Sequence, residues 1–339
     1  MDRRLILHCG FPKSATTTLQ KHLFPYLDGI HYGGKYYDGR LDTLRDSFYN
    51  LLRHRRAAGY VKDEPEHCKV VTHITELLEQ NVQASVLLSY EEVLVGSMWP
   101  RPHSTFSLFH SAARSITEQF EFVKSLVGAA GEHTPRIVIT LRSQRELIPS
   151  FYAEAYKNTF SNIRGMRTFS GFLDTYLKNS TTSILNPRAM DFCHVEDVVT
   201  EIFGTENVCL LWYDWLANNP IRFATELGVF IGADPGQILL LLRDAPRENV
   251  RRSEGQTPIL RQGRRDLSVY AGLAKRVIAP NFTIGIGSKM LKFARSVQFG
   301  SEVFSPTLEE LDRISHYYLD SNSQFLKRHP TFLLGIEED

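Results

Sequence analysis

Residues 4–20 decide the fold, and they read Arg4-Leu-Ile-Leu-His-Cys-Gly-Phe-Pro-Lys-Ser-Ala-Thr-Thr-Thr-Leu-Gln20. An apolar run from Leu5 to Cys9 ends at a glycine and a proline, as expected of a short strand buried on both faces of a parallel sheet. Ser14 is a suitable N-cap, and the leucines that follow recur at helical spacing. The stretch therefore predicts a strand, a tight turn and a helix.

The turn has the properties of an anion-binding site. The first backbone N–H groups of a helix have no partner within the helix, and the helix dipole adds positive charge at that end. Lys13 adds a full charge in the turn, and three threonines follow it. A capped helix after a buried strand would explain Ser14, but it would not explain a lysine in the turn. We therefore expect the turn to bind an anionic group.

A nucleotide-triphosphate P-loop is one candidate for this turn. Its pattern, G-x-x-x-x-G-K-[ST], requires glycines six residues and one residue before the lysine. Leu7 and Pro12 occupy those positions, so the match is limited to Lys13 and Ser14. This difference disfavours a Mg²⁺-nucleotide kinase, although that class stays open as an alternative.

The turn resembles the 5′-phosphosulfate-binding loop of sulfotransferases that use 3′-phosphoadenosine 5′-phosphosulfate (PAPS), whose usual form is P-K-[ST]-G-T-T. Residues 12–17, Pro-Lys-Ser-Ala-Thr-Thr, differ from it at Ala15, where glycine is usual. Alanine resists both a positive φ and a very close backbone approach, whereas in a helical conformation the change would be harmless. The resemblance implies that Lys13 stabilises the leaving oxygen without a metal. It also implies that the loop holds the 5′-phosphate and sulfuryl group, through Lys13, Ser14, Ala15, Thr16, Thr17 and Thr18.

Composition restricts the class of protein. The 339 residues, of which 42% are hydrophobic, suffice for one large α/β domain, and the net charge of +1 gives no overall field that would attract nucleic acid. The four cysteines show neither zinc-ligand spacing nor a disulfide pattern. No apolar run approaches the roughly 20 residues of a membrane span, and no signal-like segment precedes the first strand, so we expect a cytoplasmic protein.

Three further apolar runs predict buried strands, at 84–89, 136–141 and 207–214. We therefore expect an α/β fold, a P-loop-like parallel sheet of four to five strands flanked by helices, with helical insertions. Helical segments are expected at 41–58, 64–81, 105–130 and 219–232, and a closing helix near 308–318. Residues 30–40, rich in glycine and tyrosine, indicate an exposed loop whose Tyr32, Tyr36 and Tyr37 either stack on an acceptor or pack on the surface.

Glu91 follows the strand at 84–89, and ligands of open α/β sheets gather at the carboxyl ends of strands. In the sulfotransferase family the catalytic base lies at or near this position, a histidine in many cytosolic members and a glutamate in several carbohydrate-acting ones. Glu91 resembles that base by position. A helix cap or a salt bridge is the alternative for this carboxylate, and Glu92, His103 and His110 are rivals for the catalytic role.

A second motif follows the strand at 136–141. Arg142 leaves this strand, and Ser150 lies eight residues later on a predicted helix. The pair resembles the segment of the family that binds the 3′-phosphate, where arginine supplies a planar pair of donors and serine a hydroxyl. In the family a late basic loop also covers this phosphate, and Arg247, Arg251 or Arg252 could do so here. A solvated surface loop is the alternative.

These observations predict a single sulfotransferase domain over residues 1–339, with a motif-bearing α/β core at about 4–233 and a helical and loop-rich part at about 234–339. The resemblance implies transfer of the PAPS sulfuryl group to an acceptor hydroxyl, with 3′-phosphoadenosine 5′-phosphate as product and no metal. The expected acceptor is a small molecule or a glycan, and we favour a carbohydrate. A kinase and a non-catalytic nucleotide-binding module remain the alternatives.

Overall fold

The structure is a computed structural model of the protein, and it describes residues 5–11, 13–34, 65–91, 93–94, 115–131, 134–156, 160, 163, 165–178, 186–246, 259–260 and 302–335. These residues belong to two compact units. The first unit lies within Met1–Leu147, Tyr176–Asn249 and Arg313–Asp339, and the second within Ile148–Thr175 and Val250–Asp312. The expected boundary near residue 233 stays a prediction.

A five-stranded parallel sheet forms the core of the first unit. Its strands lie in the order β2-β3-β1-β4-β5. In chain order they are β1 (Leu5–His8), β2 (Ile30–Tyr32), β3 (Ser85–Ser89), β4 (Arg136–Leu141) and β5 (Val208–Trp212). All four residues of β1 are buried, because β1 is central and pairs with β3 on one side and β4 on the other.

The strand order reverses between β1 and β4. From β1 the chain runs to the edge strand β2 and returns to β3, which lies between them, and it then crosses to β4 and β5 on the other side of β1. In open α/β sheets this point opens a crevice at the carboxyl ends of the strands, where ligands bind. The turns that follow β1 and β4 both lie at this crevice.

Helices flank the sheet within the first unit, and several of the described helices begin with a side-chain cap. One example is the box formed by Ser115 and Glu118, in which each side chain accepts from the other residue's backbone N–H. The helices are α1 (Thr16–Thr18), α2 (Pro65–Gln80), α3 (Ile116–Ala130), α4 (Gln144–Tyr156), α5 (Phe169–Tyr176), α6 (Phe192–Phe203), α7 (Trp215–Asn218), α8 (Pro220–Ile231), α9 (Pro235–Asp244), α10 (Leu308–Tyr317) and α11 (Leu319–Arg328). Among the described residues, no helix is both long and apolar enough to span a membrane.

The second unit contains an aromatic cluster around Tyr152, which is 1% exposed. The Tyr152 ring stacks on Phe160 at a centroid distance of 5.2 Å, and its hydroxyl donates to the Met166 carbonyl. Residues Ile259–Leu260 and Glu302–Val303 pair as an antiparallel two-stranded sheet. This unit therefore has its own apolar centre.

The predicted α/β class and the parallel sheet are confirmed, and so are the four strands expected from apolar runs. The prediction of an exposed loop over residues 30–40 was wrong for its first three residues. Ile30–Tyr32 form β2, and Tyr32 is 2% exposed and packs against Phe24, so its side chain belongs to the core. Tyr36, Tyr37 and the segment 41–58 lie outside the described residues.

The helix after the first turn is also less regular than expected. α1 continues as a π-helix (Leu19–Leu23) and ends in a 3₁₀-helix (Phe24–Tyr26), which contains the proline at position 25. This proline lies in the first turn of the 3₁₀-helix, where a backbone N–H would have no partner within that helix. By contrast, α4 continues through Pro149 as one helix.

Candidate active site

The turn after β1 has an unusual backbone. Lys13 and Ala15 both have positive φ angles, of 66° and 60°, which side chains other than glycine rarely adopt. Ala15 is the N-cap of α1, and no side chain caps this helix. Alanine at position 15 is therefore not harmless. It places a Cβ in a left-handed conformation and adds strain to the turn.

Ser14 does not cap the helix, contrary to the sequence-based prediction. Its hydroxyl donates to the Phe11 carbonyl at 2.6 Å, and its backbone N–H lies 3.2 Å from the same oxygen. The Ser14 side chain has no exposed surface. Ser14 therefore closes the turn from inside, and the hydroxyl that was expected at the anion is used within the fold.

Gly10 shows how tightly the turn packs on the sheet. A Cβ at this position would lie 2.2 Å from the Thr16 methyl group, 2.4 Å from Thr140 Oγ1 and 3.0 Å from Ser14 Oγ. Contacts that short require neighbouring atoms to move. Only glycine fits here, because the chain passes directly over β4 at the start of the turn.

Glu91 lies beside the turn, as the strand-end argument predicted. Thr16 Oγ1 donates to Glu91 Oε2 at 2.9 Å, so the carboxylate after β3 contacts the first residue of α1. Thr16 is buried and Glu91 is half-buried. This contact joins the segment after β3 to the start of α1, and the roles considered for Glu91 stay predictions.

Arg142 joins the second motif to the same turn. Its Nη1 donates to the Lys13 carbonyl at 2.7 Å, and its Nε and Nη2 both donate to Glu146 Oε2. The guanidinium also lies over the Tyr213 ring, 4.7 Å from its centroid. Contacts with described residues use three of the five N–H donors of Arg142, which leaves two for a ligand.

A buried histidine lies beneath the turn, and the sequence analysis gave it no role. His8 is fully buried in β1, with Nδ1 2.7 Å from Ser89 Oγ and Nε2 3.3 Å from Thr140 Oγ1. Burial lowers the pKa of His8 to about 3, against the opposing effect of the Glu91 charge. His8 is therefore neutral near pH 7. A polar residue in an otherwise apolar strand was the available signal.

The structure brings some of the candidate residues together and leaves others apart or undescribed. Lys13, Thr16, Glu91 and Arg142 meet at the crevice. Thr17 and Thr18 lie in α1 and are half-buried, and Ser150 lies in α4 within the second unit. Lying outside the described residues are Glu92, His103, His110, Arg247, Arg251 and Arg252.

This arrangement combines groups with distinct chemical abilities. The turn offers the Lys13 ammonium and the first N–H groups of a helix to an anion, and Arg142 offers a second cation a short distance away. Glu91 offers a carboxylate that can accept a proton. Among the described residues, no group of three or more histidine, cysteine, aspartate or glutamate side chains is placed to hold a metal ion.

Comparison with known proteins gave a result only at the level of structure. No protein-family model matches the sequence, and no curated protein matches it. One similar solved structure is a sulfotransferase from Alicyclobacillus acidocaldarius, with 12% identity, a TM-score of 0.37 and coverage of 83% of this chain and 98% of that chain.

Two other similar structures come from a mammal and a mycobacterium. Mouse sulfotransferase SULT7A1 complexed with PAP is 12% identical, with a TM-score of 0.38 and coverage of 92% of this chain and 89% of that chain. Sulfotransferase STF9 from Mycobacterium avium is 11% identical, with a TM-score of 0.33 and coverage of 94% and 76%. The solved structures named here are all sulfotransferases.

Proposed function

We propose that this protein is a sulfotransferase that moves the sulfuryl group of PAPS to an acceptor hydroxyl. The observation that carries the proposal is the hydrogen bond between Thr16 and Glu91. It places a carboxylate next to the first residue after an anion-binding turn. A transferred group held by that turn would then lie within reach of a proton acceptor, as general base catalysis requires.

Lys13 has the role of stabilising the leaving oxygen. A sulfuryl group is already electrophilic, so the protein mainly has to position it and to neutralise developing charge, as in phosphoryl transfer. The positive φ angles at Lys13 and Ala15 support this role, because backbone strain concentrates at functional sites. The N–H groups and hydroxyls at Thr16 and Thr17 would hold the 5′-phosphate and the sulfuryl oxygens.

Glu91 has the role of removing the acceptor proton. The Thr16 hydroxyl donates to Oε2 of Glu91 and so fixes the orientation of the carboxylate group. A carboxylate base is also the type that several carbohydrate-acting sulfotransferases use. This agreement supports a carbohydrate or glycan hydroxyl as the acceptor, and the cytoplasmic location stays a prediction from sequence.

Arg142 has the role of binding the 3′-phosphate. Two of its N–H donors remain after the contacts with Lys13 and Glu146, and a planar pair of donors suits a phosphate. The contact with the Lys13 carbonyl joins the two anion-binding segments. Ser150, Arg251 and Arg252 are proposed for the same phosphate on the basis of sequence alone.

A transfer assay with sulfur-labelled PAPS and a panel of mono- and oligosaccharides tests the proposal. We expect label to appear in an acceptor without added metal, and we expect calorimetry to show binding of 3′-phosphoadenosine 5′-phosphate in preference to ATP. Preference for ATP would instead favour the kinase alternative. Binding of neither nucleotide would favour a degenerate member of the fold.

Arg142→Ala separates the two nucleotide phosphates. Loss of a charge-assisted contact should weaken binding of 3′-phosphoadenosine 5′-phosphate by roughly tenfold more than binding of adenosine 5′-phosphosulfate, which lacks the 3′-phosphate. Calorimetry with both nucleotides measures the difference. Equal losses would show that Arg142 acts only on the turn, through the Lys13 carbonyl.

A further inference from the structure

Six groups form one continuous line of hydrogen bonds beneath the turn. They run from the helix after the turn, through β3, β1 and β4, and back to the turn itself. In order they are Gln20 Nε2, Ser89 Oγ, His8, Thr140 Oγ1, Ser14 Oγ and the Phe11 carbonyl, with separations of 2.9, 2.7, 3.3, 2.9 and 2.6 Å. We call this line the buried relay.

We infer that His8 is a positioning residue, which holds the strained Lys13 turn through the Thr140 and Ser14 hydroxyls as a neutral imidazole protonated at Nε2. In the proposed mechanism His8 contacts neither the nucleotide nor the acceptor. It acts on the Lys13 turn only through Thr140 and Ser14. The activity arm of the test below rests on the proposed function, whereas the tautomer of His8 can be measured without it.

The two ends of the buried relay fix its direction. The Phe11 carbonyl can only accept, so the Ser14 hydroxyl donates to it and must accept from Thr140. Thr140 donates its single hydrogen to Ser14, so it must accept from His8, and Nε2 therefore carries the proton.

The other end gives the same answer independently. The Gln20 amide nitrogen faces both the Ser89 hydroxyl and the Ser89 backbone carbonyl, which can only accept, so this nitrogen is a donor. Ser89 accepts from Gln20, and among its described contacts His8 Nδ1 is the acceptor for the Ser89 hydroxyl hydrogen, so Nδ1 is unprotonated. Both ends therefore require the same tautomer of His8.

Burial makes this order of donors obligatory. Each of the five side chains has an exposed fraction of 0%: Gln20, Ser89, His8, Thr140 and Ser14. A reversed hydroxyl would leave a donor facing a donor, with no surface through which bulk water could compensate. A charged imidazolium would also donate to the Ser89 hydroxyl, which would then accept twice and leave its own hydrogen without an acceptor among its described contacts. The low pKa of His8 agrees with this requirement.

The relay ends where the turn is most strained. Ser14 lies between Lys13 and Ala15, both of which have positive φ angles. The Ser14 hydroxyl and N–H both contact the Phe11 carbonyl and hold the turn closed. Thr140 fixes the orientation of that hydroxyl, and His8 fixes Thr140. A change at His8 is thus transmitted to the backbone that carries the Lys13 ammonium.

Nitrogen-15 NMR of the histidine-labelled protein tests the tautomer directly. The His8 ring is assigned through its nuclear Overhauser contacts with Thr140 and Ser89. We expect a protonated Nε2 and a bare Nδ1 at pH 7, unchanged at pH 5. A protonated Nδ1, or an imidazolium at pH 5, would overturn the inference whether or not the protein transfers sulfate.

Paired variants of Thr140 test the positioning role. Thr140→Val preserves the shape and removes the hydroxyl, and it should lower kcat per nucleotide-binding site by roughly 10–100-fold, the scale of a misplaced catalytic group. The dissociation constant for 3′-phosphoadenosine 5′-phosphate should rise by a smaller factor than kcat falls, because this ligand keeps its other phosphate contacts and lacks only the transferred group. Thr140→Ser restores the hydroxyl and should recover most of kcat.

The outcomes separate the two proposals. Equal kcat values for the valine and serine variants, or equal losses in kcat and nucleotide affinity, would show that Thr140 and His8 are only structural. Absence of sulfate transfer by the wild-type protein would overturn the proposed function and leave the NMR result to decide the tautomer. If the valine variant does not fold, Ser14→Ala, which removes the last hydroxyl of the relay, replaces it in the same comparison.

Discussion

Two helix starts in the same unit are built in opposite ways. α8 begins with Asn219, whose side-chain oxygen accepts from the Arg222 N–H, has proline in its first turn, and ends at Gly232 with a left-handed conformation. α1 begins with Ala15, which is itself left-handed, and no side chain caps it. A left-handed residue thus ends α8, where it is Gly232, and precedes α1, where it is Ala15.

The difference between α1 and α8 shows that side-chain capping, the usual way to begin a helix in this protein, is absent at the start of α1. Five other helices also begin with a side-chain cap, from Ser115, Thr168, Asp191, Asp234 and Thr307. A side-chain cap satisfies donors of the first turn, whereas an uncapped start leaves them for a ligand. The starts of α7 and α11 also lack a side-chain cap, but their N-cap residues are not left-handed. The start of α1, beside Lys13, lacks the cap and is left-handed as well, a departure from local rules that is expected of a functional site.

Glu91→Gln should have the largest effect, because it removes the proton acceptor beside the uncapped start and keeps its shape. The rate should fall by roughly 10²–10⁴-fold, and the acidic limb of the pH–rate profile should disappear. Steady-state rates across pH measure this, with the exposed Glu121→Gln as control. Normal turnover, together with an inactive His103→Ala or His110→Ala, would place the base elsewhere.

Lys13→Ala should have the next largest effect. The ammonium acts mainly on the transition state, so kcat/KM should fall by roughly 10²-fold while nucleotide affinity falls less. Lys21→Ala, in the same helical segment but beyond the turn, is the matched control. Similar rates for both variants would mean that the unusual start of α1 has no catalytic purpose.

Asn219→Ala removes the side-chain cap of α8, the structural helix start. Loss of this cap should lower the free energy of unfolding by about 1 kcal/mol, with unchanged kcat/KM, because the cap has only a structural role. Urea denaturation and initial rates measure the two quantities. A clear loss of rate at unchanged stability would contradict the division between structural and functional helix starts.

Ala15→Gly should have the smallest effect and the opposite sign. Relief of the left-handed strain is partly offset by the greater entropy of glycine in the unfolded chain, so stability should rise by about 0.5–1 kcal/mol. Denaturation measures the change, and Ala15→Val, which adds a β-branched side chain, should be destabilising. A loss of stability in the glycine variant would contradict the assigned conformation.

Local sequence patterns were sufficient for most of the sheet. Four strands were predicted because each is an apolar run bounded by turn residues. β2 was missed because Ile30–Tyr32 is only three residues long and lies among glycines and tyrosines. It is a strand because it pairs with β3, more than 50 residues away, and no local pattern records that partner.

The site was predictable wherever it depended on strand ends. Lys13, Glu91 and Arg142 each follow a predicted strand, so parallel pairing was enough to bring their segments together. The role of Ser14 was mispredicted because its partner Thr140 is 126 residues away, and a buried partner outweighs a good local capping tendency. The ligand-binding roles of the candidate residues stay predictions.

The central place of β1 also has a consequence for synthesis on the ribosome. His8 and Thr140 are 132 residues apart, and β1 is bordered by β4 only in the finished sheet. At roughly 5–20 residues per second, β1 waits roughly 7–26 s for that neighbour after it has been made. The first segment of the site to be translated is thus an apolar strand whose edge facing β4 is the last to be paired, and a chaperone that recognises extended apolar segments could bind it until β4 is made.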